Sequence, residues 1–142
     1  MSQTPNGQPD DQPDGQTVMI EMIFPEQANH YGTLFGGNAL SLMARAAFVA
    51  ATRRARGAVV MARSEQVDFT TPVRVGELLE LRSEIIRIGR SSMRVAVVGI
   101  AEEMDTGNRR EALKGQFVMV AVDASGRPRA LTEKTAKKEE TV

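Results

Sequence analysis

Two glycines in tandem, Gly36 and Gly37, stand directly before a stretch in which apolar residues recur every three and four positions. The first amides of a helix have no intrahelical acceptor, the dipole is positive there, and glycine lets a ligand approach the backbone closely. Such a turn can hold an oxyanion, as acyl transfer requires. The same glycines could instead let a helix pack tightly on a sheet. Asn29, just upstream, could orient a water or hydrogen-bond a carbonyl, or close an Asx-turn in its loop. His30, the one histidine, is a candidate base.

Those residues need elements to hold them. A strand is expected over Val18 to Phe24, ended by Pro25, which cannot donate to a ladder. A loop, EQANHYGTLFGG, leads into a helix from Asn38 to about Arg54. Its expected buried stripe is Leu40, Met43, Ala44, Ala47, Phe48 and Ala51. Strands follow at Val59 to Phe69, Leu78 to Ile88, Ser91 to Glu102 and Phe117 to Val122, with a turn at PVRVGE. Leu79, Leu81 and Ile85 share one face while Ile86 and Ile88 fall on the other, a slip of phase that predicts a bulge near Ile85. The run at Phe117 is apolar on both faces, and one helix covers only one of them, so a second subunit is expected on the other. Five strands and one long helix, without a second helix for parallel crossovers, favour an α+β fold with an antiparallel sheet curled round the helix.

Composition narrows the function. The chain has 142 residues, close to one domain, with 18 basic and 18 acidic residues and a formal net charge of zero. No overall field draws it to nucleic acid or an anionic membrane, and few aromatics are present for base stacking. An anion must therefore be met by a local basic cluster. There is no cysteine and one histidine, so neither a thiolate nucleophile nor a histidine-rich metal cage is expected. Residues 1–16 and 132–142 are polar and read as a flexible arm and a charged tail around a domain at 17–131. The start lacks a basic segment and an apolar run, so the cytoplasm is the expected location.

Four segments carry a resemblance. Asn29-His30-Tyr31-Gly32-Thr33-Leu34-Phe35-Gly36-Gly37, continued by Leu40 and Met43, is similar to the N-x-x-G-x-x-x-G-G-x-x-L-x-x-M signature of hotdog-fold acyl-CoA thioesterases. Val67-Asp68-Phe69 with Pro72-Val73 and Gly76-Glu77, Gly89-Arg90-Ser91-Ser92-Met93, and Gly115 with Phe117 to Asp123 continue it in the family's order, over about residues 18 to 130. The resemblance implies a hotdog fold of about five antiparallel strands wrapped round one central helix. It also implies hydrolysis of an acyl-CoA to free acid and CoA, with CoA as part of the substrate and no separate cofactor or metal. It implies a homodimer with the site at the seam, often assembled further as a trimer of dimers. Arg90, Ser91 and Ser92 match a segment where a guanidinium and hydroxyls can hold phosphate or pantetheine amides. Arg127, Arg129, Lys137 and Lys138 are further candidates. The family does not rely on a histidine at His30, which makes an exposed loop role the better expectation.

One departure matters. The residue after the signature Met is usually an acid in this family, acting as base or nucleophile on the thioester, and here it is Ala44. Three explanations are open. Glu65 could supply the carboxylate, since alternation puts it on the face of Val67 and Phe69, where an acid is costly unless paired or used. Asp68 would then face the other way, as a structural hydrogen-bonding group. The chain could instead bind acyl-CoA without turning it over, or Ala44 could be an introduced substitution. A hydratase of the same fold would need an Asp and His in a D-x-x-x-x-H arrangement, and His30 has no such Asp. Catalytic candidates are thus Asn29, Gly37, Ala44 and Glu65, and substrate-binding candidates Gly36, Arg90, Ser91 and Ser92.

Overall fold

The computed structural model describes residues 16–131. The expected tail, with Lys137 and Lys138, and all of the expected arm except Gln16 lie outside the described residues. The chain runs β1 (Gln16–Met22), a short 3-10 turn (Pro25–Gln27), α1 (Gly36–Ala55), β2 (Val59–Phe69), β3 (Leu78–Ile88), β4 (Ser92–Glu102) and β5 (Arg109–Ala121). The strands form one antiparallel sheet in the order β1-β3-β4-β5-β2, so β1 and β2 are its edges. The expected α+β architecture is the one observed.

The sheet turns Leu79, Leu81, Met93, Val95, Val97, Phe117 and Met119 toward the helix, all essentially inaccessible to solvent. Alternation along β4 is strict, buried residues alternating with half-buried ones from Ser92 to Glu102, because that strand has a neighbour on each side and helix on one face. The helix meets the sheet through Ala39, Leu42, Met43, Ala46, Ala47, Ala50, Ala51 and Ala55. Small side chains let the two backbones approach, and Gly115 does the same from the sheet, where an added Cβ would lie 3.1 Å from Met43 Cε.

Several boundaries differ from expectation. β1 begins at Gln16 and ends at Met22, because Gln16 still pairs with Glu84 and Phe24 caps the 3-10 turn. The helix starts at Gly36 rather than Asn38, so both glycines lie in its first turn. β5 begins at Arg109, well before Phe117. Its first residues pair with β4 through Glu102↔Arg109 and Ala101↔Arg110, and ladder pairing does not need the apolar run that marks the rest. The expected stripe is rotated on the helix: Ala39, Ala46 and Ala50 join its centre, whereas Leu40 and Phe48 are exposed and Ala44 is half-buried. The sheet admits alanine where it is close, and the larger side chains go to the flank. The bulge expected near Ile85 is present, as a register shift between Ile85 and Arg87.

Candidate functional site

The first turn of α1 has Phe35 at its N-cap, which offers no side-chain oxygen, and the turn contains no acid. The amides of Gly36, Gly37 and Asn38 precede the first main-chain acceptor in the ladder, which Ala39 N reaches at Phe35 O, 2.9 Å away. Both glycines are exposed. The Phe35 ring lies against Gly37, where an added Cβ would come within 3.0 Å of it. Beside this turn opens a cleft of about 230 Å³ lined by Leu34, Gly36, Ala39, Phe69, Val73 and Leu113, with Thr70, Thr71 and Pro72 at its rim.

The loop before the helix is pinned. Asn29 Oδ1 accepts from Tyr31 N at 3.0 Å, Thr33 N at 3.2 Å and Thr33 Oγ1 at 3.2 Å. Asn29 therefore does close an Asx-turn, and that leaves its amide nitrogen as the group it can offer a ligand. Gln27 O accepts from Phe35 N at 2.9 Å and from Asn38 Nδ2 at 3.0 Å, tying the loop to the helix start. His30 is exposed and stacks on Tyr31 at 4.0 Å between ring centres.

The far wall of the cleft is held by a buried ion pair. Glu77, 7% exposed, accepts from both terminal nitrogens of Arg110 at 2.8 and 3.1 Å and from Arg74 N at 2.8 Å. Arg110 also donates to Pro72 O at 2.6 Å. The PVRVGE turn is thereby fastened to β5, with the Glu77 carboxyl kept below its usual range by the Arg110 guanidinium.

Glu65 is not where alternation puts it. β2 slips register between Glu65 and Asp68, and Gln66 takes a left-handed conformation with φ 53°. That extra residue sends Val67 toward Met43 and Gly115 while leaving Glu65 paired with Gln116 on the sheet face turned away from the helix. There Glu65 meets Arg94 and Arg63, and Arg94 also donates to Gln116 Oε1 at 3.1 Å. Hydrogen bonds from Arg94 first and Arg63 second hold its pKa down, so it is a carboxylate with little tendency to accept a proton. Asp68 lies on the same outer face, opposite Lys114, and has no side-chain hydrogen bond among the described residues. α1 itself contains no Asp or Glu.

Arg90, Ser91 and Ser92 form the turn between β3 and β4, with Gly89 N bonded to Ser92 O at 2.8 Å and Leu131 N to Arg90 O at 2.8 Å. This turn lies at the end of the sheet where α1 finishes, since Ala121 N pairs with Ser91 O and Val122 N with Ala58 O. Arg129 joins that end, donating to Ala55 O at 3.2 Å, and Arg127 is exposed near it. Gly36 and Gly37 are at the other end of a helix of 20 residues, about 30 Å at 1.5 Å per residue. The structure thus brings Asn29, Gly36 and Gly37 together, sets Ala44 on the same helix, and separates them from Glu65 and from the Arg90 turn.

Residues 31–108 match the Thioesterase superfamily. The acyl-CoA thioester hydrolase YciA of Salmonella typhimurium is 33% identical over 126 residues, which cover 86% of this chain and 94% of that protein. An apo-hexameric acyl-CoA thioesterase of solved structure is 36% identical with a TM-score of 0.80, over 83% of this chain and 76% of that one. The acyl-CoA hydrolase of Staphylococcus aureus, solved in one form as an aspartate-to-alanine mutant, is 28% identical with a TM-score of 0.78, over 83% and 72%. It has also been solved with butyryl-CoA and CoA, and as asparagine-to-alanine and threonine-to-alanine mutants. In that hydrolase the aspartate follows the asparagine by fifteen positions and the threonine follows the aspartate by seventeen. The same steps from Asn29 lead to Ala44 and then to Met61. Met61, half-exposed on edge strand β2, was not a candidate in the sequence, because a methionine in a β pattern signals only packing.

Proposed function

The chain belongs to the Thioesterase superfamily, among hotdog-fold acyl-CoA thioester hydrolases, and from that premise we propose that it receives acyl-CoA with the thioester carbonyl at the amides of Gly36 and Gly37. The observation that supports this reading is the uncapped, glycine-lined start of α1 opening on a cleft of acyl-group dimensions. Oriented amides at a helix start stabilise charge developing on a carbonyl oxygen, and among the described residues no acceptor competes for them. The amide of Asn29 orients the attacking water or the carbonyl. Attack breaks the C–S bond, leaving the free acid, and the CoA sulfur takes up a proton.

The site lies at a seam between two copies. In support, Leu40 and Phe48 on α1 and Met61 and Phe69 on the helix-side face of edge strand β2 are exposed apolar groups, which a second copy joined along β2 would cover. The Arg90 turn is a helix length from Gly36 in its own chain, so the partner's turn is the one placed to meet the CoA end of a bound ligand. The homodimer is the minimal unit, and a trimer of dimers the larger assembly.

Hydrolysis by this chain is slow, because the place of the family's acid is Ala44 and Glu65 is ion-paired on the far face of the sheet. A general base contributes roughly 10²- to 10⁴-fold. The replacement of both acid and hydroxyl positions, by Ala44 and Met61, favours a second reading in which the chain holds acyl-CoA without turnover. Thiol release from short, medium and long acyl-CoAs decides between them. Slow release by the chain as it is, raised at least a hundredfold in Ala44→Asp and unchanged in Glu65→Gln, supports a weakened hydrolase. No release until Ala44→Asp is made supports a binding protein. Release abolished by Glu65→Gln would overturn both and restore Glu65 as the base.

A further inference from the structure

The outer face of the sheet carries a row of cations that the thioester chemistry does not use, and only part of it is taken up by ion pairs within the fold. In β3 the residue Ile86 is bulged out, and Arg87 therefore stands opposite Arg94 rather than facing the helix. Arg94 is on the outer face because Met93 and Val95 on either side of it are buried. Across β5, Val118 is opposite Arg94 and is in turn opposite Arg63, which the register shift between Met61 and Arg63 brings into line. Arg87, Arg94 and Arg63 thus cross the sheet in one row, and the turn bearing Arg90 follows one residue pair beyond Arg87 and Arg94 along β3 and β4.

The charge of this row is incompletely balanced. Glu65 meets Arg94 and Arg63, and Glu84, opposite Ala96, is one pair farther along the face. Neither Arg87 nor Arg90 has a side-chain hydrogen bond or ion pair among the described residues, and both are exposed. Like charges directly opposite on neighbouring strands are destabilising. Arg87 against Arg94 is such a pair, in a chain whose formal net charge is zero. An anion bridging the row offsets that repulsion, and guanidinium forks suit the oxygens of phosphate.

We infer that Arg63, Arg87 and Arg94, with Arg90, form a phosphate-binding site for a ligand carrying closely spaced phosphate groups. That the phosphates are those of acyl-CoA rests on the function proposed above; that the row binds phosphate does not. The row lies on the sheet face away from α1, so a CoA with its thioester at Gly36 can meet only the row of another copy. A free nucleotide would reach it directly.

The test is calorimetric titration with adenosine 3′,5′-bisphosphate, CoA and acetyl-pantetheine, using the full chain, Arg87→Ala and Arg90→Ala. Melting curves identify any variant that fails to fold, and Arg87→Lys supplies a variant that keeps the charge. The expected result is bisphosphate binding that weakens with added salt and falls about tenfold in each alanine variant, a loss of one charged contact. CoA should lose the same factor and acetyl-pantetheine none, with Arg87→Lys intermediate. Displacement of bisphosphate by CoA assigns the row to the substrate; simultaneous binding of the two assigns it to a separate nucleotide. If the native chain does not bind bisphosphate, or folded Arg87→Ala and Arg90→Ala bind it as tightly as the native chain does, the site does not exist. If bisphosphate binds and acetyl-pantetheine does not, the phosphate site stands and the acyl-CoA reading falls.

Discussion

The two long flanks of α1 are both apolar and do opposite work. On one, Ala46, Ala47, Ala50 and Ala51 are at most 1% exposed against the sheet. On the other, Leu40 and Phe48 are exposed and Ala44 is half-buried between them. Along the middle of the helix the buried side chains are alanines, while Leu42 and Met43 nearer its start are buried as well. Burial on this helix follows how closely the sheet approaches, and the alanines at Ala46, Ala47, Ala50 and Ala51 mark where that approach is closed. The buried flank completes the core of a single chain, whereas the open flank carries larger apolar groups for a surface this chain does not itself provide.

Substitutions on the two flanks should separate these roles. Ala47→Leu forces three extra carbons into a closed contact and should cost about 3 kcal/mol of stability, read as a large drop in denaturant midpoint. The matching change on the open flank, Ala44→Leu, should cost less, about 1 kcal/mol, because Ala44 is only partly buried against the core. Equal losses would mean that the flanks are not distinct. Phe48→Asp should leave the chain folded and dissociate the assembly, shifting its mass in analytical ultracentrifugation toward that of one chain. An unchanged mass would place the seam elsewhere.

Across the cleft from the first turn of α1 stands the wall that Glu77 and Arg110 hold. Glu77→Gln should cost about 2 kcal/mol, below the figure for a fully buried pair because Arg110 is partly exposed. Arg110 holds the folded pKa of Glu77 below its ordinary value. The stabilisation is therefore complete above that ordinary value and is lost as pH falls through the lowered folded one. Melting temperatures from pH 7 to pH 3 should fall more steeply in the native chain than in Glu77→Gln, and parallel curves would deny the pair this role. A gain rather than a loss is expected at the bulge that separates Glu65 from Val67. Gln66 is a non-glycine residue at φ 53°, so Gln66→Gly should stabilise by about 1 kcal/mol through relief of left-handed strain. Destabilisation would mean that the Gln66 side chain has a use of its own.

Much of this architecture was legible in the residues. The limits of β2 and β3 and the bulge after Ile85 follow from alternation and its slip of phase. The early residues of β5 were hidden because Arg109, Arg110 and Glu111 pair in a ladder without an apolar signature. The misplaced face of Glu65 has a different cause. A bulge marked by Gly or Asn can be suspected, but Gln66 adopts the same conformation with no such mark, and everything counted across it falls on the wrong face.

From the sequence alone come the thioesterase frame, the glycine-lined helix start and the absence of an acid at Ala44, because these are matters of residue type and spacing. The tertiary structure alone decided which flank of the helix is closed, that Glu65 is bound by two arginines behind the sheet, and that Arg63, Arg87 and Arg94 share a row. Each of these depends on how far one element approaches another or on a single extra residue in a strand, and neither quantity is written in the local pattern.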